Sequence, residues 1–89
     1  MQIKNNTDRT LEIVVNSTTS QTLWQTEIGA KTSQGKELPA GDAPYTALGR
    51  WKSDPPTGYN FLIGGVGNVP NNNTTVNVSQ VYPGFVSSY

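Results

Sequence analysis

The chain contains neither cysteine nor histidine, and charged side chains are few. Without cysteine no disulfide bond can form, and without histidine the commonest ligand of transition metals is missing. Nucleophilic catalysis by a Ser-His or Cys-His pair is excluded for the same reason. Six basic residues balance six acidic ones, so the formal net charge is zero and charge repulsion gives no argument for disorder.

Long apolar runs are also missing. No stretch reaches the ~18 consecutive apolar residues that a membrane-spanning helix needs. The first ten residues lack the apolar core of a signal peptide. The sequence therefore predicts no transmembrane helix and no export signal in the given chain. It leaves both a cytoplasmic location and secretion by another route open.

The residues that are present suit a small β domain. Leu, Ile, Val and Phe supply 19 of the 89 residues, while Thr, Ser, Asn and Gln supply 32. Thr and Val favour strands, and Asn, Gly and Pro favour turns. We expect a single domain spanning residues 1–89. Because so thin a core has no disulfide or metal to support it, self-association into a homo-oligomer is expected as well.

Aromatic residues concentrate between Pro44 and Val66. The segment 53–58, Ser-Asp-Pro-Pro-Thr-Gly, cannot continue a strand or a helix, and residues alternate on both sides of it. Before the segment, one predicted face carries Tyr45, Ala47, Gly49 and Trp51, and after it one predicted face carries Tyr59, Phe61 and Ile63. This pattern predicts two antiparallel strands joined by a turn, with an irregularity at Gly64–Gly67. The aromatic residues predicted to serve the core are Trp24, Trp51, Tyr59 and Phe61.

Alternation predicts further strands elsewhere. The clearest is Thr10–Asn16, in which Leu11, Ile13 and Val15 share one face and Val14 makes the other partly apolar, as in a central strand. The other predicted strands are Gln2–Lys4, Gln21–Ile28, Lys36–Leu38 and Thr74–Tyr82. Turns are predicted at Asn5–Asp8, where the side chains cap their own backbone, and at Ser17–Ser20 and Pro39–Asp42. The tail, Pro83–Tyr89, has no evident partner. The predicted fold is all-β, a small antiparallel β-sandwich or barrel of six to seven short strands.

No pattern of residues indicates catalysis, so a non-enzymatic protein is expected. Asp8, Asp42 and Asp54 fall in predicted turns, where aspartate commonly caps the backbone. Gly64–Gly67 lacks the spacing and the following helix of a phosphate-binding loop. The Asn71–Asn73 run and the nearby aspartates lack the alternating acidic pattern of a calcium loop. The sequence predicts no catalytic residue, no metal and no cofactor.

Basic residues form no run along the chain. Arg50-Trp51-Lys52 interleaves charge with an aromatic ring, as single-strand nucleic-acid binders do. Alternation nevertheless places Trp51 on the face opposite to Arg50 and Lys52, so Trp51 is predicted in the core and the two basic side chains in solvent. We therefore expect no nucleic-acid partner.

The aromatic residues Tyr82, Phe85 and Tyr89 lie beyond the last periodic strand. Aromatic side chains with a polar tip suit surfaces that are apolar on one side and wet on the other, such as sugar faces, lipid head groups and subunit interfaces. Surface recognition and simple closure of the core are both open for this tail, as they are for Tyr45. These four residues are the candidate ligand-binding residues.

Three segments resemble aegerolysin-type proteins. Met1 to Val15, MQIKNNTDRTLEIVV, is similar to their opening strand, Asn-Asn-Thr turn and Thr-Leu strand. Pro56 to Val66 sits where they have a Gly-Thr-aromatic strand, and Val76 to Tyr89, VNVSQVYPGFVSSY, resembles their strand followed by an aromatic-Pro-Gly-Ser-Tyr segment. The related actinoporin-like fold has a similar strand and aromatic-Pro-Tyr turn.

This resemblance implies a β-sandwich that recognises membrane lipids, often sphingolipids, and works in a pore-forming pair or oligomer. It also implies that Tyr82, Phe85 and Tyr89 contact lipid head groups. The expected function is thus a non-enzymatic, toxin-like module that binds a membrane lipid or a related surface ligand. A small lectin that binds glycans and a structural subunit that self-associates are the alternatives.

Overall fold

The computed structural model describes residues 1–52, 58–59, 61–63, 69–71, 73–81 and 84–88, and for strand residues 61, 62, 80, 81 and 84–88 it describes the backbone. Most of the predicted turn at 53–58 and the predicted irregularity at 64–67 lie outside these residues. In the described part of the chain more than half of the residues lie in strands, and the helical structure there is one 3-10 turn at Ala40–Asp42. The predicted all-β class is confirmed.

Eight strands form two four-stranded sheets. The strands are β1 (Gln2–Asn5), β2 (Leu11–Asn16), β3 (Thr22–Ile28), β4 (Thr32–Gly35), β5 (Thr46–Trp51), β6 (Phe61–Ile63), β7 (Thr75–Val81) and β8 (Gly84–Ser88). The first sheet has the order β4-β1-β7-β8 and the second the order β3-β2-β5-β6. Neighbouring strands are antiparallel except β1 and β7, which are parallel.

The strand β2 lies in the middle of the second sheet, as its sequence predicts. Leu11 pairs with Ile28 of β3 on one side and with Trp51 of β5 on the other. Leu11 is fully buried, as are Ile13 and Val15, because every second residue of a strand points to the same face. The predicted pairing of the aromatic strands is also confirmed, since β5 and β6 are antiparallel.

One hydrophobic cluster joins the two sheets. Ile3, Val76 and Val78 come from the first sheet, and Ile13 and Ile63 are among the residues from the second. Trp24 and Trp51 also belong to this cluster, each less than a tenth exposed, as predicted. The sheets therefore share one core and form a β-sandwich.

Two edge strands of the first sheet differ from the sequence prediction. The prediction of a strand at Lys36–Leu38 is wrong, because the strand in this part of the chain is β4, residues Thr32–Gly35. All four of its residues are exposed, so no apolar alternation marks it, and backbone pairing with β1 defines it instead. The tail was expected to have no strand partner, yet β8 pairs with β7.

The strand ends and their connections form two distinct ends of the sandwich. At one end β1 leads into the loop Asn6–Thr10 and β3 into the turn Gly29–Lys31. The registers Asn5↔Thr32, Leu11↔Ile28 and Leu11↔Trp51 bring the start of β4 and the last residue of β5 to this same end. Because β7 runs parallel to β1, its last residue Val81 also lies here.

Candidate functional site

Four basic residues meet at the end of the sandwich that carries the loop Asn6–Thr10. They lie far apart in the sequence, but each one stands close to a strand terminus at this end. We call this group the basic end; its members are Lys4, Arg9, Lys31 and Lys52. Since the chain has six basic residues in total, two thirds of its positive side chains occupy one end of the molecule.

A buried polar network fixes the loop that carries the basic end. The amide nitrogen Nδ2 of Asn5 donates to the carbonyl oxygens of Arg9 at 2.8 Å, Ile28 at 3.0 Å and Gly29 at 3.2 Å. The side-chain oxygen of Asn5 accepts from Thr7, from its backbone nitrogen at 3.1 Å and its hydroxyl at 2.6 Å. Asn5 and Thr7 are buried, so these bonds satisfy polar atoms that water does not reach.

Lys31 is held against the same loop. Its φ of 59° lies in the left-handed region, which is uncommon for residues other than glycine. Its backbone nitrogen donates to the carbonyl of Thr7 at 3.2 Å, and its Nζ donates to the carbonyl of Asn6 at 2.9 Å. The ammonium group also lies 3.7 Å from a carboxylate oxygen of Asp8. The strained backbone thus places a cation beside the loop.

Two open hollows flank the loop. The larger, about 320 Å³, is lined by Asp8, Arg9, Thr10 and Lys52. The guanidinium carbon of Arg9 lies 4.7 Å from the centre of the Trp51 ring, a cation–π contact at the rim of the core. The smaller hollow, about 150 Å³, is lined by Lys4, Asn6, Lys31, Thr32 and Ser33. Each hollow has two basic side chains in its wall.

Acidic partners compensate part of this charge. The ammonium of Lys52 lies 2.9 Å from a carboxylate oxygen of Glu27. That hydrogen bond and the attraction between the two charges raise the pKa of Lys52. Both side chains are about half exposed, at 57% and 49%, so the pair is screened by water and adds little stability. Among the described residues, Asp8 and Glu27 form ion pairs with members of the basic end, and Glu12 also acts on Lys52. In this part of the chain the four basic groups of the basic end still outnumber the carboxylates beside them.

Tyr59 lies on the outer face of the second sheet, and its predicted place on the core face is wrong. Its hydroxyl accepts a hydrogen bond from Nε2 of Gln25 at 2.9 Å, and its ring lies 4.9 Å below the guanidinium carbon of Arg50. Arg50 in turn pairs with Glu12 at 3.2 Å. Val14 of β2 lies between β3 and β5 and is buried, but it does not belong to the core cluster. The polar contact of the Tyr59 hydroxyl explains why the Tyr59 ring is outside the core.

Of the four candidate ligand-binding residues from the sequence, Tyr45 is the one whose side chain the structure describes. Tyr45 is fully buried, and its hydroxyl donates to the carbonyl of Pro39 at 2.8 Å, so it is a core residue and leaves no ring face for a surface ligand. Phe85 lies in β8, where the backbone is described. Tyr82 and Tyr89 lie outside the described residues.

The sequence does not reveal the basic end, because consecutive members lie up to 22 positions apart and Lys4 and Lys52 lie 48 positions apart. Because the basic residues form no run, the sequence pattern indicates charge spread over the surface. A usable signal was available: each residue stands near a predicted turn or strand end, and a sandwich gathers such positions at two ends. The predicted solvent exposure of Lys52, opposite to the buried Trp51, is confirmed.

Other kinds of site find little support in the described residues. No group of three or more potential metal-ligating side chains occurs among them. No helix in this part of the chain is both long and apolar enough to span a bilayer. Comparison of the chain with protein-family models, with curated proteins and with solved structures gives no match.

Proposed function

We propose that the protein is a non-enzymatic recognition module that binds the anionic head groups of membrane lipids through its basic end. The observation that carries the proposal is the meeting of four of the six basic residues around one loop. A basic side chain near an anionic membrane surface contributes about 1 kcal/mol to binding. Four such side chains on one end therefore suffice for reversible attachment.

The loop is pre-organised for this task. The bonds of Asn5 and Thr7 hold its backbone before any ligand arrives, so little conformational entropy is lost when a head group binds. In the larger hollow, an arginine and a lysine stand together, and guanidinium groups form paired hydrogen bonds with phosphate oxygens.

A membrane fits these observations better than nucleic acid does. Single-strand binders stack bases on aromatic faces along a positive groove. At the basic end the aromatic ring described is Trp51, which is only 8% exposed and is covered by Arg9. The head-group contacts that the resemblance implies for Tyr82, Phe85 and Tyr89 stay part of the proposal.

Vesicle flotation tests the proposal. Phosphatidylcholine vesicles are compared with vesicles that also contain phosphatidylserine or sphingomyelin. The double variant Lys4→Gln, Lys31→Gln removes two charges from the basic end and should bind the anionic vesicles about 30-fold more weakly, because two lysines contribute roughly 2 kcal/mol. Lys36→Gln is the matched control, since Lys36 bonds to Met1 at the opposite end of the sandwich and should bind like the wild type.

Three results would count against the proposal. The first is no flotation with phosphatidylserine vesicles, and the second is equal binding by the double variant and Lys36→Gln. The third is binding that does not weaken as salt rises, because screening must reduce an attraction between surface charges. Binding to single-stranded DNA without binding to vesicles would replace the membrane with nucleic acid as the ligand.

Carbohydrate binding is the second candidate, on a different surface. The outer face of the first sheet presents hydroxyl and amide side chains in adjacent register positions; they are Gln2, Ser33, Thr75, Asn77 and Ser79. Such groups can bond sugar hydroxyls, although a polar outer face is also ordinary for an antiparallel sheet. A glycan screen checks this candidate, and binding to a sugar that Asn77→Ala abolishes would favour it over the lipid.

A further inference from the structure

Charge is distributed very unevenly along the chain. All twelve charged side chains lie within residues 1–54, and the last 35 residues contain none. The strands β6, β7 and β8 all belong to this uncharged part. Proteins commonly place charged residues on the outermost strands of a sheet, because an unprotected edge pairs with other chains. The charge distribution therefore divides the edges of this sandwich into two kinds.

One side of the sandwich has protected edges. Here β3 and β4 are the outer strands of their sheets. The side chain of Gln34 crosses between them, donating through Nε2 to the carbonyl of Glu27 at 2.7 Å and accepting from the hydroxyl of Thr26 at 3.1 Å. Lys31 and Lys36 stand at the two ends of β4. A bridging side chain and flanking charges are features that oppose edge-to-edge pairing.

On the other side of the sandwich the outer strands are β6 and β8, and no charged residue occurs in or beside either of them in the sequence. Among the described strands β8 has a neighbour on one side only, which is β7. The strand β6 is three residues long, and short edges pair poorly, whereas β8 has five residues. No lysine, arginine, aspartate, glutamate or proline occurs within β8. This strand is therefore the sheet edge best suited to pairing.

The backbone bonds of β7 show which groups of β8 face outward. Gln2 donates to the carbonyl of Thr74 and Asn6 to that of Val78, so the even-numbered residues of β7 bond to β1. The odd-numbered residues of β7 then bond to β8, where their register partners are Gly84, Val86 and Ser88. The remaining two residues of β8, Phe85 and Ser87, direct their N–H and C=O groups away from β7.

We propose that two copies of the chain pair along β8 and form an antiparallel dimer. Phe85 of each copy meets Ser87 of the other, and each of these pairs exchanges two backbone hydrogen bonds. Val86 meets its own counterpart on a two-fold axis, so the contact is closed and cannot grow into a fibre. The first sheets of the two copies join into one sheet of eight strands.

This arrangement also affects the proposed function. Antiparallel pairing directs the two basic ends to opposite ends of the dimer. A dimer whose basic ends bind head groups then bridges two vesicles, which raises the turbidity of a vesicle suspension. Vesicle bridging rests on the proposed function, whereas the dimer itself does not. Sedimentation in the absence of lipid therefore tests the dimer separately.

Sedimentation velocity over a concentration series up to about 1 mM tests the dimer, because a contact of one strand is small and therefore weak. The expected result is a mass that rises with concentration toward twice the 9.6 kDa of the chain. Ser87→Pro removes one outward N–H that the single copy does not use, and should abolish the rise while keeping the fold. A wild type that stays monomeric throughout, or an undiminished Ser87→Pro dimer, would overturn the proposal.

A second pair of variants covers the case in which Ser87→Pro does not fold. Val86→Lys brings two like charges together at the two-fold axis and should weaken the dimer at least tenfold, whereas Val86→Thr should not. Amide exchange gives the register. With rising protein concentration the amides of Phe85 and Ser87 should gain protection, while those of Val86 and Ser88 should be protected throughout. Protection gained on β4 instead would contradict the proposed edge.

Discussion

The two ends of the sandwich are held together by polar side chains in different ways. At the basic end these bonds join segments that are distant in the sequence. Asn5 reaches the carbonyl of Ile28, 23 residues away, and Lys31 reaches that of Asn6, 25 residues away. Such bonds tie the loop Asn6–Thr10 to the end of β3, and they exist only when both sheets have formed.

At the opposite end, which we call the turn end, the side chains of Ser17 and Tyr45 make local bonds, although the terminal ammonium of Met1 also donates to the carbonyl of Lys36, 35 residues away. This end contains the turn between β2 and β3 and the segment leading into β5. The hydroxyl of Ser17 accepts from the backbone nitrogens of Thr19 at 3.3 Å and Gln21 at 3.1 Å. Tyr45 bonds to Pro39, six residues away. Local bonds give a turn its shape, whereas the distant bonds of the basic end hold a binding loop in place.

The largest expected effect follows from removing the donor of Asn5. Asn5→Asp keeps the shape of the side chain but replaces the donating nitrogen with an oxygen that faces three carbonyl oxygens. Leaving buried polar groups unpaired costs about 1–3 kcal/mol for each group. We expect a loss of about 3 kcal/mol or more in the free energy of unfolding, measured by urea denaturation at pH 7.

The neighbouring residue supplies the control for this change. Asn6→Asp makes the same chemical change at an exposed side chain and should stay within about 0.5 kcal/mol of the wild type. If the two variants were equally stable, the buried network would not be what holds the basic end. Distant side-chain bonds would then not be what distinguishes the basic end from the turn end.

A smaller effect is expected at the turn end, from Tyr45→Phe. This change removes one hydrogen bond to Pro39 and should cost about 1 kcal/mol at neutral pH. Burial, and after it the negative charge of Asp42, raises the pKa of the Tyr45 phenol. A raised pKa in the folded state means that stability is retained below the unfolded pKa, about 10, and is lost as the pH rises through the folded value.

The stability difference between the wild type and Tyr45→Phe should therefore shrink between pH 7 and pH 11. The pKa of Lys52 is also raised, so its contribution to the free energy of unfolding falls in the same pH range. Because this happens in both proteins, it cancels from the difference between them. Urea denaturation at the two pH values measures the difference. A difference that widens at high pH would show that the Tyr45 phenol ionises more easily in the folded protein, against its buried position.

The sequence predicted local features of this molecule better than distant ones. The strand β2 and the turn at Ser17–Ser20 follow from alternation and from Ser and Thr side chains that bond to their own backbone. Asn5 was predicted in the same way, as part of a self-capping turn. Its actual partners include Ile28 and Gly29, and no spacing rule connects those positions with Asn5.

The candidate site shows the same limit. Lys4, Arg9, Lys31 and Lys52 meet because of the order of strands in two sheets, and the sequence predicts strands without their order. The edge strand β4 escaped prediction because its residues are all exposed, so its backbone pairing leaves no apolar pattern. Tyr45 was the opposite case, since an aromatic residue at a strand start suits either a surface or a core until its neighbours are known.

The smallest expected effects compare Ser20 and Lys31, one at each end, which are the residues other than glycine with a left-handed backbone in the described part of the chain. Ser20 has φ 66° at the turn end and Lys31 has φ 59° at the basic end. Glycine adopts this conformation without the steric cost of about 1–2 kcal/mol that other residues carry, although it loses more entropy on folding. Ser20→Gly should therefore stabilise the protein by about 0.5 kcal/mol.

Lys31→Gly relieves the same strain but also removes the bond to Asn6 and the ion pair with Asp8. Both partners of that pair are more than half exposed, so the loss is a few tenths of a kcal/mol, and the net change should be close to zero. In 1 M salt the charge attraction is screened, and Lys31→Gly should approach the gain of Ser20→Gly. Thermal unfolding at low and high salt measures the stability changes of Lys31→Gly and Ser20→Gly. Equal gains at low salt would show that the Lys31 side chain adds nothing to the basic end, whereas a deficit that salt removes supports its role in tying the loop Asn6–Thr10 to the turn after β3.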